Sequence, residues 1–223
     1  YGPCAFMDAF DPAKVFSSID QMGRYAYDRQ PDILIWNLAQ LATALLPVTG
    51  LDQEAAIEAA TASVHRFPDL FRAEWAAVFR AKLGLRTAED GDGTLIQDLL
   101  GRMHAGRADF TNTFRALGQE TARDQFTDRA AFDSWEADWT ARLAREGATP
   151  AAARAAITTV SPAVIPRNHR IEEAIETAVA GDFARFERLV RVLSTPFELA
   201  EADADMARPP AETEIVRQTF CGT

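Results

Sequence analysis

The side chains here that could do chemistry are two cysteines, three histidines and a few short clusters of charge. Cys4 and Cys221 stand near opposite ends of the 223 residues, too few and too far apart for a disulfide framework or a metal-ligand set. They could close one long-range link, or Cys4 could be buried and Cys221 idle. His65, His104 and His169 lack the short paired spacings of zinc ligands and read as structural histidines. Asp90-Gly91-Asp92-Gly93 resembles the start of a calcium loop, but Thr94 and Leu95 occupy places where further oxygen ligands are needed, so it reads as a turn before a helix. No metal site is expected. Arg167-Asn168-His169-Arg170 gathers cationic donors at the start of a helix, where Arg167 and Arg170 could hold an anion or pair with carboxylates. Arg24 could clamp a phosphate, but bracing its loop through Asp20 or Asp28 is the preferred reading. A glycine-rich phosphate loop, a Gly-x-Ser-x-Gly elbow and a His-Glu-x-x-His motif are all absent, so the chain by itself offers no complete catalytic constellation.

Composition narrows the partners. A formal net charge of −10 repels phosphate backbones and anionic lipid, which argues against nucleic acid. The only lysines are Lys14 and Lys82, so no catalytic lysine is evident. No apolar run is expected to reach the roughly 18 residues of a bilayer span, so no membrane partner is foreseen. A hydrophobic content of 48% suits a packed core.

The elements that must position these groups read as helices. Residues 1–31, broken by Pro3, Pro12, Gly23 and Pro31, form an ordered loop lying on a core. Asp32 then caps a helix whose apolar face carries Leu34, Leu38, Leu41 and Leu45, widened by Ile35 and Trp36 and stopped at Pro47. Further helices are expected over about 52–66, 69–83, 94–103, 109–117 and 129–146. Phe71, Trp75, Val78 and Phe79 share one side of the third, and Phe132, Trp135, Trp139 and Leu143 form a stripe on the last. Thr149-Pro150 opens another helix. Two more follow Pro166, one with Ile171, Ala174, Ile175 and Val179, the other with Phe183, Phe186, Leu189, Val190 and Leu193. No stretch alternates as a strand does, so the fold class is mainly α. The division is a loop over 1–31, helices over 32–193 and a coil-rich tail over 194–223.

Tyr1-Gly2-Pro3, Phe6-Met7-Asp8, Asp11-Pro12, Gly23-Arg24-Tyr25, Gln30-Pro31 and Trp36-Asn37-Leu38 resemble the segment after the metal-binding aspartate of the selenoprotein O family. Ala81-Lys82-Leu83-Gly84-Leu85, Asp109-Phe110-Thr111, Thr113-Phe114-Arg115, Pro166-Arg167-Asn168, Gly181-Asp182-Phe183, Pro196-Phe197 and Cys221 continue it in the family's order. The resemblance implies the helical C-lobe of a kinase-like fold with a C-terminal extension. Tyr1-Gly2 would complete an Asp-Tyr-Gly triplet, placing Gly2 beside bound nucleotide. Asp20, Gly23, Arg24, Tyr25, Gln30, Trp36 and Asn37 would belong to an activation-segment-like region.

Members of that family transfer AMP from ATP to Ser, Thr or Tyr hydroxyls of proteins with a divalent metal, so ATP and Mg (or Mn) are the implied cofactors of the intact protein. Protein substrates and an N-terminal nucleotide-binding portion are the implied partners. The catalytic residues are expected upstream of Tyr1, and this chain alone is expected to be an inactive C-terminal part of a bacterial, cytoplasmic enzyme. The family also implies a link between Cys221 and an activation-segment cysteine, but Phe16 stands at that position, leaving Cys4 as the substitute partner. A free-standing acidic helical interaction module and a thiol–disulfide regulatory domain are the alternatives.

Overall fold

Aspartate and threonine caps set several of the helix starts in the computed structural model, which describes residues 5–219. Asp52, Asp109, Asp128 and Thr149 accept from the backbone N–H groups of Ala55, Asn112, Ala131 and Ala152, satisfying donors that the first helical turn leaves open. The helices are α1 (Gln30–Leu45), α2 (Gln53–His65), α3 (Phe67–Lys82), α4 (Asp92–Gly106), α5 (Phe110–Leu117), α6 (Arg129–Arg145), α7 (Pro150–Val160), α8 (Asn168–Val179) and α9 (Ala184–Leu193). Among the described residues the only β-type pairing is an isolated antiparallel bridge between Ala9 and Asp109. The mainly α expectation therefore holds.

The core is organised around α6. Phe132, Trp135, Trp139 and Leu143 are at most 1% exposed, as their helical spacing predicts. Each indole also finds a polar partner: Trp135 Nε1 donates to the Leu95 carbonyl and Trp139 Nε1 to that of Leu83, both at 2.9 Å. Those bonds tie α6 to α4 and to the end of α3. At that end Gly84 has φ +69°, and a Cβ there would lie 2.6 Å from the Ala153 carbonyl oxygen, so α3 meets α7 at a point only glycine fits. A second, smaller core joins Val164, Leu189, Val192 and Met206 under the α8–α9 pair.

Several expectations need correction. Both α1 and α3 begin two residues early, because Pro31 and Pro68 sit in their first turns, where a missing N–H costs nothing. No side chain caps α1, so Asp32 is not its cap. The apolar stripe of α1 is largely uncovered: Ile33 alone is buried, while Trp36, Leu41 and Leu45 are exposed. The same is true of Val78 on α3, Ile175 and Val179 on α8, and Phe183, Phe186 and Val190 around α9. The stretch Tyr27–Val48 is also long and apolar enough, by length and composition alone, to cross a membrane, because its charges cluster at one end. The tail is more than surface coil. Glu201–Ala207 forms a 3-10 helix that buries Met206, with Asp203 gripped by Arg188 and Arg191 at 2.9 Å each. Those two guanidiniums hold the Asp203 carboxyl down at about 2.

Candidate functional site

The loop before α1 is pinned to the helices by one buried arginine. Arg167, at the start of α8, is 1% exposed; its Nη1 donates to Asp8 Oδ1 at 2.5 Å and to Asp109 Oδ2 at 2.8 Å. Its Nη2 donates to Asp109 Oδ1 at 3.2 Å and to Asn112 Oδ1 at 3.1 Å. A planar fork of donors suits three acceptors from two separate segments, which a lysine would not span. Backbone bonds reinforce the join: Phe10 N–H donates to the Ala108 carbonyl and Phe110 N–H to the Asp8 carbonyl, at 2.9 and 2.8 Å. Phe10 packs edge-on against Tyr27 and stacks on Phe110, each at 5.8 Å, so the loop lies on the main core.

Further along, the loop is shaped by Asp20. Its two carboxylate oxygens accept from the backbone N–H groups of Arg24 and Tyr25, both at 2.7 Å, around Gly23 at φ +64°. The expected pairing of the Arg24 guanidinium with Asp20 or Asp28 is not found; Asp20 braces the loop through backbone N–H groups. The Arg24 guanidinium instead lies 4.9 Å from the Trp36 ring centroid and 5.9 Å from that of Tyr25, a cation–π contact between loop and α1. Gln30 is the first residue of α1, and Asn37 is exposed on its surface.

The other candidates fall apart or fall silent. Arg167 is committed to carboxylates, and Arg170 pairs with Glu173 at 3.0 Å and donates to the Asp205 carbonyl at 2.9 Å, so the cluster is an internal brace and not an open anion seat. Asp92 of the calcium-like turn is buried against Arg142 at 2.6 Å. His65 is exposed, whereas His169 is buried, and burial first and Arg170 second push its imidazole pKa down. His104 lines a cleft of about 660 Å³ with Asp8, Lys14, Arg107, His169 and Val216. Among the described residues no three His, Cys, Asp or Glu side chains converge to hold a metal ion. Gly2, Cys4 and Cys221 lie outside the described residues.

Local sequence gives Asp109 and Asn112 no role beyond a helix start, and Ser18 and Thr219 none. The Asx-type start of α5 signals a cap. Nothing local signals that the same carboxylate also receives an arginine 58 residues away.

The family model described as protein adenylyltransferase SelO matches residues 1–194. A protein nucleotidyltransferase YdiU of Ruegeria sp. (strain TM1040) is 57% identical over all of this chain and 46% of its own length. The protein of the same name from Ruegeria pomeroyi is 54% identical over the same shares. That of Bradyrhizobium diazoefficiens is 51% identical over all of this chain and 47% of its own length. The chain thus spans about half the length of the curated relatives it matches.

Proposed function

Because the chain belongs to the SelO family of protein adenylyltransferases, we propose that it is the helical part of such an enzyme, a kinase-like C-lobe, and that its loop over residues 5–29 faces the transferring centre. The observation that carries this reading is Arg167, which fixes Asp8 and the loop behind it on α5 and α8 within the stretch the family model covers. A loop held by a buried, multiply bonded cation keeps one geometry, and positioning is most of what transfer of a nucleotidyl group asks of a protein.

The described residues do not fit Mg–ATP: they hold no carboxylate cluster for a divalent ion, Arg167 is committed to Asp8 and Asp109, and Arg24 lies over the Trp36 ring. ATP and Mg (or Mn) are therefore assigned to the remaining half of the longer polypeptide, and protein hydroxyls to its substrates. What this chain supplies is a rigid support for the loop and a surface for that half. The surface is the outer side of α1, where Leu41 and Leu45, one turn apart, are both exposed. Exposed apolar side chains at that spacing offer an interface, and the relatives carry about as much chain again to cover it. A cytoplasmic setting follows from this reading, with the Tyr27–Val48 stretch covered by protein instead of lipid.

The test uses a YdiU relative in which this chain replaces the matching segment. Incubated with a protein acceptor, Mg or Mn, and ATP labelled at either the α or the γ phosphate, the chimera is expected to transfer label only from the α position. Transfer of γ label would make it a kinase and overturn the reading.

A further inference from the structure

The loop at Asp8–Phe10 is an unfinished piece of sheet. The Phe10 N–H donates to the Ala108 carbonyl at 2.9 Å and the Asp8 carbonyl accepts from the Phe110 N–H at 2.8 Å, so both groups turn toward the junction of α4 and α5 around the Ala9–Asp109 bridge. Backbone polar groups alternate in direction along an extended segment, so the N–H and C=O of Ala9 point the other way. Among the described residues neither makes a backbone hydrogen bond. Ala9 lines the cleft of about 660 Å³ described above, and Ile215 and Val216 of the tail line it too, also with their backbone groups unpaired among the described residues. Farther along, the tail is tied to the loop where the Ser18 N–H donates to the Thr219 carbonyl at 2.7 Å. The charges of the cleft are not balanced. Asp8 and Asp109 are taken by Arg167, Asp124 by Arg129 at 3.0 Å and Glu212 by Arg217 at 3.7 Å, while Asp11 accepts from the Ala13 N–H at 2.9 Å and lies 3.9 Å from His104. Lys14 and Arg107 line the same cleft, and neither has a carboxylate partner among the described residues. Arg107 stands at φ +51°, just past α4, where glycine is the usual residue, so this arginine is held there against the preference of its own backbone.

We propose that this cleft docks an extended, acidic segment of the acceptor protein, paired backbone to backbone with Ala9 and drawn in by Lys14 and Arg107. That the cleft takes such a segment stands on its own geometry; that the segment belongs to an acceptor of AMP rests on the function proposed above. Strand addition takes its affinity from main-chain hydrogen bonds and its selectivity from the side chains around them. Here the selective element is charge. In a chain of net charge −10, most of the surface repels an acidic segment, and the unpaired cations beside a free strand edge make this cleft the place where it can settle. A cleft that reads backbone and charge tolerates many sequences, provided that the segment is extended and acidic.

Fluorescence anisotropy of the chimera with a labelled peptide that alternates Glu and Val around one Thr tests the cleft directly. Two altered peptides separate the contributions: one carries Lys in place of every Glu, and the other is N-methylated throughout, so that its backbone cannot donate. Each should bind roughly tenfold more weakly than the acidic peptide. Lys14→Gln combined with Arg107→Gly should weaken the acidic peptide by a similar roughly tenfold, with the end of α4 intact because glycine suits the left-handed position. Absence of binding by the acidic peptide would overturn the proposal, and so would equal binding of the Lys peptide or of the N-methylated one. With the acidic peptide as acceptor of AMP, the double variant should raise KM roughly tenfold with a smaller change in kcat. A lowered kcat at unchanged KM would overturn the assignment of the cleft to the acceptor. If the unaltered chimera transfers no AMP, the function proposed above fails, while anisotropy still decides whether the cleft takes an extended acidic segment.

Discussion

Replacing Arg167 by alanine is expected to lower folding stability by about 3–5 kcal/mol, the range for removing one partner of a buried ion pair. The reason is what stays behind. Asp109, with a side chain 6% exposed, and the more open Asp8 would face each other without the cation that both accept from, and Asn112 would lose a donor. The loss should appear in urea as a lower midpoint. Arg167→Lys should fall between, since an ammonium group keeps the charge but cannot reach all three acceptors in the fork geometry. Combining Arg167→Met with Asp8→Asn and Asp109→Asn should recover much of the loss, because the penalty belongs to unpaired charge more than to the missing attraction. A cost below about 1 kcal/mol for the alanine variant would mean that the loop is not anchored this way.

The second large effect is at Arg142, whose side chain is 1% exposed on α6. Its guanidinium donates to Asp92 Oδ1 at 2.6 Å, to the Thr87 carbonyl at 2.8 Å and to Glu146 Oε2 at 3.2 Å. Glu146 in turn accepts from the Thr87 hydroxyl at 2.8 Å and from the backbone N–H groups of Arg86 and Thr87. Burial pushes the Glu146 carboxyl up, but the hydrogen bonds from Thr87, Arg86 and Arg142 together outweigh it and hold the pKa at about 2, against an ordinary 4.5. A carboxyl whose folded value is depressed adds stability that is fully present above its unfolded value and is lost as pH falls through the folded one. The wild-type protein should therefore lose this contribution between about pH 4.5 and pH 2. Arg142→Ala should cost about 3–5 kcal/mol at neutral pH. Its penalty should shrink in acid, where Glu146 can take up a proton once the cation is gone. Urea melts of both proteins at a series of pH values would show the two curves converging as pH falls. A penalty independent of pH would mean that the carboxylates are not what Arg142 neutralises.

Much of the helical scaffold could be read from local sequence. The α6 stripe and the Thr149-Pro150 start are local signals, decided within a turn or two, and they placed their helices well. The proline-started helices were displaced because Pro31 and Pro68 look like breaks but serve as first-turn residues. Periodicity also foretold an apolar face on α1 without saying whether anything in the chain covers it, and in fact little does. The site was harder to see. Arg167 was noticed as a cation at a helix start, but Asp8 lies 159 residues away and only the fold brings them together. The acidic run near Asp203 read as exposed coil because its partners Arg188 and Arg191 belong to α9. Ser18 and Thr219 are common polar residues with no local pattern, and their pairing is a property of the tail's path alone.

The most direct test of this chain's role is AMP transfer measured three ways: with the chain alone, with the separately produced remaining half of a YdiU relative alone, and with the two mixed. The expected result is label from α-phosphate-labelled ATP on a protein acceptor only in the mixture, falling when Leu41→Asp and Leu45→Asp are introduced together on the exposed face of α1. Robust labelling by this chain alone would contradict its role as a support for chemistry carried elsewhere, and so would a mixture that associates tightly yet never transfers AMP.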